Sequence, residues 1–128
     1  MQNHIERQIM MMGQEVAKLY QGGLYEKALF LAMRCCELAK QYIGKNHPHY
    51  VTCLNNIAEI YRAMGRYAEA EPIYIEALEI TRRNAGPTNP FVTRTLNNYA
   101  ALKYNMSNYK EAASLYQEAL QILRINRI

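Results

Sequence analysis

The sequence contains neither aspartate nor tryptophan among its 128 residues, and its apolar stretches are short. Without aspartate no Ser-His-Asp triad can be assembled, and the G-x-S-x-G, Walker, H-E-x-x-H and dinucleotide-binding motifs are also missing. A membrane-spanning helix needs a run of roughly 18 or more apolar residues, and no such run occurs. These absences predict that the protein is not an enzyme and does not span a membrane.

Cysteine is also scarce, with three residues at positions 35, 36 and 53. The number is odd, and no C-x-x-C spacing indicates a zinc or redox site. Cys35 and Cys36 are adjacent, but neighbours on a helix point about 100 degrees apart, which disfavours a reactive pair. Cys35 also aligns with the small residues Ala77 and Ala119 of the repeats described below, which favours a packing role.

Histidine offers no metal site. His47 and His49 flank Pro48, which is typical of a helix start, and no third ligand accompanies them in the sequence. We therefore expect no metal and no cofactor. The first twelve residues also lack the basic segment and unbroken apolar stretch of a secretory signal, which predicts a cytoplasmic protein.

An internal repeat dominates what is present. Residues 54–80, LNNIAEIYRAMGRYAEAEPIYIEALEI, recur 42 positions later as LNNYAALKYNMSNYKEAASLYQEALQI, with 13 of 27 positions identical. In the first of these copies, apolar residues recur at three and four positions in two separate stretches, which predicts two amphipathic helices. Gly65 lies between them, where a helix end favours a left-handed residue. Such a hairpin cannot bury its apolar surface alone and is expected to stack on neighbours.

A more divergent copy precedes these two and is the first of three repeats. Tyr25 and Ala28 align with the later copies at a spacing of 42, whereas a spacing of 41 is predicted ahead of the turn, aligning Ala17 with Ala58 and Tyr20 with Tyr61. The chain is therefore predicted to be one domain, residues 1–128, with repeats at about 3–44, 45–86 and 87–128. The expected helices are 3–21, 24–43, 48–64, 67–84, 90–106 and 109–126.

The middle copy resembles the tetratricopeptide repeat. Its spacing is A-x-x-Y-x-x-x-G-x-Y-x-E-A-x-x-x-Y-x-x-A-L, and the residues that carry it are Ala58, Tyr61, Gly65, Tyr67, Glu69, Ala70, Tyr74, Ala77 and Leu78. The longer period of 42, together with H-P, L-N-N and A-E-P-x-Y, looks like the kinesin light chain variety. The third copy departs from the pattern at Lys103 and Ser107, and the first copy has Gln14 and Glu15 in place of the asparagines.

The resemblance implies an all-α fold, a right-handed solenoid of three helical hairpins with six antiparallel helices, and protein–protein interaction without catalysis. In tetratricopeptide proteins the first helix of each repeat lines the concave surface. Residues of these helices that packing does not require are therefore the expected peptide-binding groove: Gln14, Lys18, Asn55, Asn56, Glu59, Arg62, Arg94, Asn97, Asn98 and Tyr104.

Four of these residues are asparagines, which are poor helix formers on a solvated face. A side-chain amide pairs with both the C=O and the N–H of an extended peptide, whatever that peptide's sequence. The alternative is that one asparagine of each pair makes a structural hydrogen bond between adjacent repeats. The predicted partner is a protein or peptide segment, and Arg94, Lys18 and Arg62 favour an acidic one.

Nucleic-acid binding is the rival hypothesis, because the net charge is +4. Its phosphate contacts would be Arg82, Arg83, Arg94 and Arg124. The pattern contains no continuous basic face and no evident base-stacking platform, so a nucleic-acid partner is disfavoured.

The C-terminal helix suggests a further partner. The repeat period places the next helix-opening proline 42 residues after Pro90, beyond the last residue. Apolar residues nevertheless continue to the end, where a solvated cap would carry charge: Ile122, Leu123, Ile125 and Ile128. We expect either that the chain belongs to a longer array, or that a second copy covers this helix in a homo-oligomer or self-assembling structural repeat.

Overall fold

The computed structural model of the chain describes residues 2–127, which form six α-helices and no β-strand. The helices are α1 (Gln2–Gln21), α2 (Tyr25–Tyr42), α3 (Pro48–Ala63), α4 (Tyr67–Ala85), α5 (Pro90–Asn105) and α6 (Tyr109–Ile125). Each helix begins and ends within one residue of its predicted bounds, and the predicted all-α hairpin repeat is confirmed.

Local capping explains where α3 and α5 begin. A proline opens each helix, where a missing backbone N–H costs nothing. The residue before it caps the helix: His47 Nδ1 accepts a hydrogen bond from the His49 N–H at 3.0 Å, and Asn89 Oδ1 accepts one from the Phe91 N–H at 2.9 Å. His47 Nε2 also lies 3.3 Å from a carboxylate oxygen of Glu6, which joins α1 to the start of α3.

The three hairpin turns share one backbone conformation. Gly23, Gly65 and Ser107 have positive φ angles of 76°, 76° and 64°. After each of them, the next backbone N–H donates to the carbonyl five residues earlier, at 2.8 to 2.9 Å. This is the hydrogen bond that ends a helix at a left-handed residue. Of these three residues, Ser107 alone has a Cβ atom, which makes the left-handed conformation sterically unfavourable.

The spacing of these turns corrects the predicted alignment of the first repeat. Because the three left-handed residues are 42 positions apart, the 41-residue register ahead of the first turn is wrong. Val16, and not Ala17, corresponds to Ala58 and Ala100: Val16 is buried, whereas Ala17 is exposed. The same shift aligns Leu19 with Tyr61.

The packing order of the helices creates a curved stack. Each helix packs against its neighbours in the sequence, and the first helices of the hairpins, α1, α3 and α5, also touch one another. In the described residues, α2, α4 and α6 make no such mutual contacts. The stack therefore curves with α1, α3 and α5 on its inner face, and we call their shared inner surface the concave groove.

A half-buried carboxylate joins α3 to α4. Glu59 accepts hydrogen bonds from Arg62 at 2.8 and 3.1 Å and from the Tyr74 hydroxyl at 2.7 Å. Arg62 also donates to Asn105 Oδ1 on α5 at 2.9 Å. Burial alone would raise the pKa of Glu59, but the hydrogen bonds from Arg62 and Tyr74 outweigh it, so the pKa of this carboxyl is lowered.

Enlarging a buried alanine tests the packing and the register together. Ala58→Leu and Ala100→Leu add volume at positions with no exposed surface, and each should lower the free energy of unfolding by about 1–3 kcal/mol in urea denaturation. The matched control is Ala17→Leu, which changes an exposed residue and should be nearly neutral. A destabilised Ala17→Leu beside a wild-type-like Ala58→Leu would contradict the uniform register.

Acid unfolding tests the Glu59 network. A carboxyl whose pKa is lowered by folding stabilises the protein above its unfolded value, near 4.5, and loses that contribution as the pH falls through the folded value. Glu59→Gln should therefore be less stable than wild type at neutral pH, and the two should converge as the pH falls through the lowered pKa of Glu59. The control is Glu69→Gln, which removes a more exposed ion pair with Arg66 and should change neutral-pH stability little. Parallel stability curves for wild type and Glu59→Gln would contradict the network.

Candidate functional site

One row of amide side chains crosses the concave groove. Gln14, Asn56 and Asn98 occupy the same position in α1, α3 and α5, 42 residues apart, and we call them the amide row. Gln14 is exposed, whereas Asn56 and Asn98 are half-buried. No hydrogen bond within the described residues occupies these amides. These three amides therefore have no internal hydrogen-bonding partner in the described part of the chain.

Asn55 has a different, internal environment. Its side chain is 5% exposed, and its Nδ2 donates to Thr95 Oγ1 at 3.0 Å, joining α3 to α5. This is the structural hydrogen bond between repeats that the sequence left as an alternative. Asn97 occupies the same position on α5 and is exposed, because no described helix follows it on that side. The two members of each asparagine pair thus have separate environments.

A cleft opens between the N-terminal halves of α3 and α5, with the end of α4 as its third wall. Val51, Ile80 and the exposed ring of Phe91 make much of its lining apolar. Asn55 also lines the cleft, and its Oδ1 is buried and accepts no hydrogen bond from the described residues. Arg94 borders the cleft, is exposed, and forms no ion pair in the described part of the chain.

A second cleft lies on the other side of α3, against α1. Val16, Ala17 and Tyr20 contribute from α1, and Asn56, Glu59 and Ile60 contribute from α3. The amide of Asn56 therefore borders this second cleft, while the amide of Asn55 borders the first.

Glu59 and Arg62 were expected to be free groove residues, but they are engaged with each other and with Tyr74 and Asn105. Their first role is to hold the hairpin together. The residues at the Glu59 position in the other repeats are Ala17 and Ala101, which carry no charge.

Lys18 differs from its expected environment, whereas Tyr104 is exposed, as expected of a groove residue. Lys18 corresponds to the buried residues Ile60 and Leu102, so its place in the predicted groove followed from the incorrect 41-residue register. It is exposed on the N-terminal end of the stack. Tyr104 is exposed, and its ring contacts the edge of Tyr109, with 5.1 Å between centroids, at the margin of the groove.

Some of the positively charged side chains already form ion pairs within the chain. Lys103 is buried, and its ammonium group contacts Glu71 at 2.5 Å and Glu111 at 2.7 Å. The hydrogen bonds with these two carboxylates raise the pKa of Lys103. Arg82, one of the arginines considered for nucleic-acid contact, pairs with Glu118. These pairs interrupt a basic surface.

Two further kinds of site are absent from residues 2–127. None of the helices there has the length and apolarity required to cross a bilayer. The same residues contain no cluster of three or more His, Cys, Asp or Glu side chains that could hold a metal ion.

Sequence reasoning missed the cleft residues on α4 and the partner of Asn55. Ile80 belongs to the second helix of its hairpin and lines the cleft between α3 and α5 because the end of α4 reaches between these helices. Thr95 lies 40 residues from Asn55, and no local pattern links the two. A uniform 42-residue alignment would have identified the amide row.

Solved structures share this fold at low sequence identity. BtubC (BKLC) from P. vanneervenii has a TM-score of 0.83 and 22% identity over 91% of this chain and 46% of its own. A putative kinesin light chain from Podosopora anserina, with nearly identical TPR-like repeats, has a TM-score of 0.83 and 16% identity over 91% of this chain and 56% of its own. The TPR domain of Arabidopsis FLU has a TM-score of 0.80 and 16% identity over 95% and 99%. The chain thus spans about half the length of the first two structures.

Sequence comparison supplies the family. None of the curated proteins matches the sequence. A profile of the tetratricopeptide repeat matches residues 16–71 and 52–125, two overlapping ranges that together cover most of the chain. The chain therefore belongs to the tetratricopeptide repeat family, with the fold of kinesin light chain-type repeats.

Proposed function

We propose that this protein is a non-catalytic, cytoplasmic scaffold that holds an extended peptide segment of a partner protein in the concave groove. Tetratricopeptide repeats are in general protein–protein interaction modules, which supports the class of function. The observation that carries the finer proposal is the unoccupied amide row of Gln14, Asn56 and Asn98. The odd number of cysteines supports the cytoplasmic location.

The spacing of the row suits an extended main chain. Packed helices lie about 8–10 Å apart, and an extended peptide rises about 3.3 Å per residue. Successive amides of the row are therefore expected to meet peptide groups about three residues apart. Each amide offers a donor and an acceptor, so this contact does not depend on the ligand's side chains.

The cleft between α3 and α5 supplies selectivity for a side chain. Its apolar wall, which includes Val51, Ile80 and Phe91, suits an apolar ligand group. Arg94 at the border favours a carboxylate next to this group. The expected ligand is therefore a peptide with an apolar side chain beside an acidic residue.

Alanine substitution in the amide row tests the proposal. Asn56→Ala and Asn98→Ala should each weaken binding of a peptide selected from an acidic library by about 5–10-fold, because each removes hydrogen bonds made only in the complex. Isothermal titration measures the affinity, and thermal unfolding should remain close to wild type. Asn97→Ala is the matched control, since this amide is exposed outside the row.

Two results would contradict peptide binding. If Asn56→Ala and Asn98→Ala lower stability and leave affinity unchanged, the row is structural. If single-stranded RNA binds tightly with a steep salt dependence and acidic peptides do not bind, the surface recognises phosphates instead.

Self-association through α6 is a second candidate function, and an exposed apolar strip favours it. Tyr116, Leu120 and Leu123 correspond to Tyr74, Leu78 and Thr81 of α4, which are buried where α5 follows. Leu78 is 4% exposed, whereas Leu120 is 48% exposed. The strip agrees only in part with the one expected from the sequence. Leu123 and Ile125 are exposed as expected, whereas Ile122 is buried in the last hairpin and Ile128 lies outside the described residues.

The opposite end of the stack does not complement this strip. Gln8, Glu15 and Lys18 of α1 occupy the positions of Tyr50, Ile57 and Ile60, and all three are exposed. Head-to-tail stacking of two copies would bury the charges of Glu15 and Lys18 against apolar side chains, which is costly. A paired arrangement, with α6 of one copy against α6 of another, avoids this burial.

Light scattering over a concentration series tests self-association. The wild-type chain should form dimers, and the double variant Leu120→Lys with Leu123→Lys should remain monomeric, because charge replaces the apolar strip. Phe30→Lys is the control, since it adds a lysine at another exposed apolar residue, on α2. A wild type that stays monomeric at high concentration would contradict the candidate.

A further inference from the structure

Two thiols from neighbouring hairpins meet in the core. Cys35 on α2 and Cys53 on α3 are 18 residues apart in the chain, and their Sγ atoms lie 3.4 Å apart. Both are free thiols, 2% and 4% exposed. The close sulfur–sulfur contact is therefore between Cys35 and Cys53, and not between the sequence neighbours Cys35 and Cys36. It lies across the junction of the first and second repeats.

The surroundings of the pair distinguish its two sulfurs. The Cys35 thiol lies 3.5 Å from the backbone carbonyl of Ile9 and donates to it. The Cys35 sulfur is then free to accept from the Cys53 thiol. This hydrogen bond lowers the pKa of Cys35 and, together with burial, raises that of Cys53. Cys35 is therefore the better nucleophile of the two.

Cys36 provides an internal comparison. It is buried beside Cys35 in the sequence, but burial raises its pKa to about 11, with Cys35 and Glu76 adding to the effect. Interaction with the Tyr50 hydroxyl lowers this pKa, but it offsets only part of the rise. A thiol in such an environment is expected to be unreactive.

We propose that Cys35 and Cys53 are an oxidation site, at which hydrogen peroxide converts the two thiols into a disulfide that joins α2 to α3. The Cys35 sulfur attacks one peroxide oxygen, the O–O bond breaks, and the released hydroxide leaves as water with the thiol proton. Cys35 is now a sulfenic acid. The Cys53 sulfur attacks the Cys35 sulfur, the S–OH bond breaks, and a second water leaves with the Cys53 proton. Two thiols are oxidised and one peroxide is reduced to two waters.

Geometry and burial set the conditions for this reaction. A disulfide brings its sulfurs to about 2.05 Å, so the pair has to close by about 1.4 Å, a small adjustment for two packed helices. Since both thiols are buried, peroxide reaches them when the first hairpin separates transiently from the second. The rate of oxidation therefore reports the opening of this junction.

The disulfide would fix the angle between the first two repeats. The concave side of the same junction carries Gln14 and Asn56 of the amide row, so their separation would be fixed as well. Oxidation restricts the unfolded chain through an 18-residue loop, and the protein's midpoint of thermal unfolding is expected to rise by roughly 10 °C.

The test treats the folded chain with hydrogen peroxide, alkylates the remaining thiols under denaturing conditions and counts them by mass spectrometry. The wild type should lose two thiols together and retain one, and tryptic peptides 35–40 and 46–62 should appear as a cross-linked product that a reductant separates. Cys36→Ala should form the same product. Cys35→Ala and Cys53→Ala should not form it, and their unfolding midpoints should not rise on oxidation.

Three outcomes would overturn the proposal. The first is a wild type that retains three thiols while folded and loses them only after unfolding. The second is a cross-link that Cys36→Ala abolishes and Cys35→Ala preserves. The third is sulfinic acid at Cys35 with Cys53 left as a thiol. Circular dichroism of each variant verifies that it is folded before oxidation.

Discussion

Close packing of helices at small side chains is the constraint on which this structure depends. Ala28, Ala70 and Ala112 occupy one position in the second helices, and all three are buried. Ala58 and Ala100 are likewise fully buried in the first helices. The first helix of the first repeat has the larger Val16 at this position. In the second and third repeats, replacing these alanines with a larger side chain would force the helices apart, because interiors packed to crystal density have little room to adjust. The 42-residue period follows because each hairpin repeats the same close contacts.

Stacking gives chemically similar positions different environments. Leu78 is buried because α5 follows it, whereas Leu120 is exposed on the last helix. Ile57 is buried because α2 precedes it, whereas Glu15 at the same position of α1 is exposed. Whether a given helical face is buried or exposed therefore depends on whether a neighbouring helix packs against it. This is expected when stability is shared between adjacent repeats.

Buried polar groups in the stack are mostly paired, and this pairing determines which ones remain for function. Glu59 is satisfied by Arg62 and Tyr74, and Lys103 is satisfied by two glutamates, so these charges maintain the hairpins. Burying such charges without partners would be costly. The side-chain amides of Asn56 and Asn98 form no hydrogen bond within the described residues. The proposed ligand contacts therefore centre on them.

The sequence by itself determined the helices, their ends and the repeat, because these depend on local physics. Proline at the first position and glycine at the turns define helix ends from a few neighbouring residues, and three-to-four spacing defines the apolar stripes. It also predicted the packing role of Cys35, which is buried. The first-repeat register failed because the apolar pattern of α1 tolerates a shift of one residue, and only the turn geometry at Gly23 decides it.

The tertiary structure decided which residues of each stripe face a neighbouring helix. Asn55 and Asn56 are identical in type and adjacent, yet one bonds to Thr95 across the repeat junction and the other borders the groove. Cys35 approaches Cys53 instead of its sequence neighbour for the same reason. These pairings depend on the distance and rotation between separate helices, which come from packing many side chains at once and leave no signal in any short stretch of sequence.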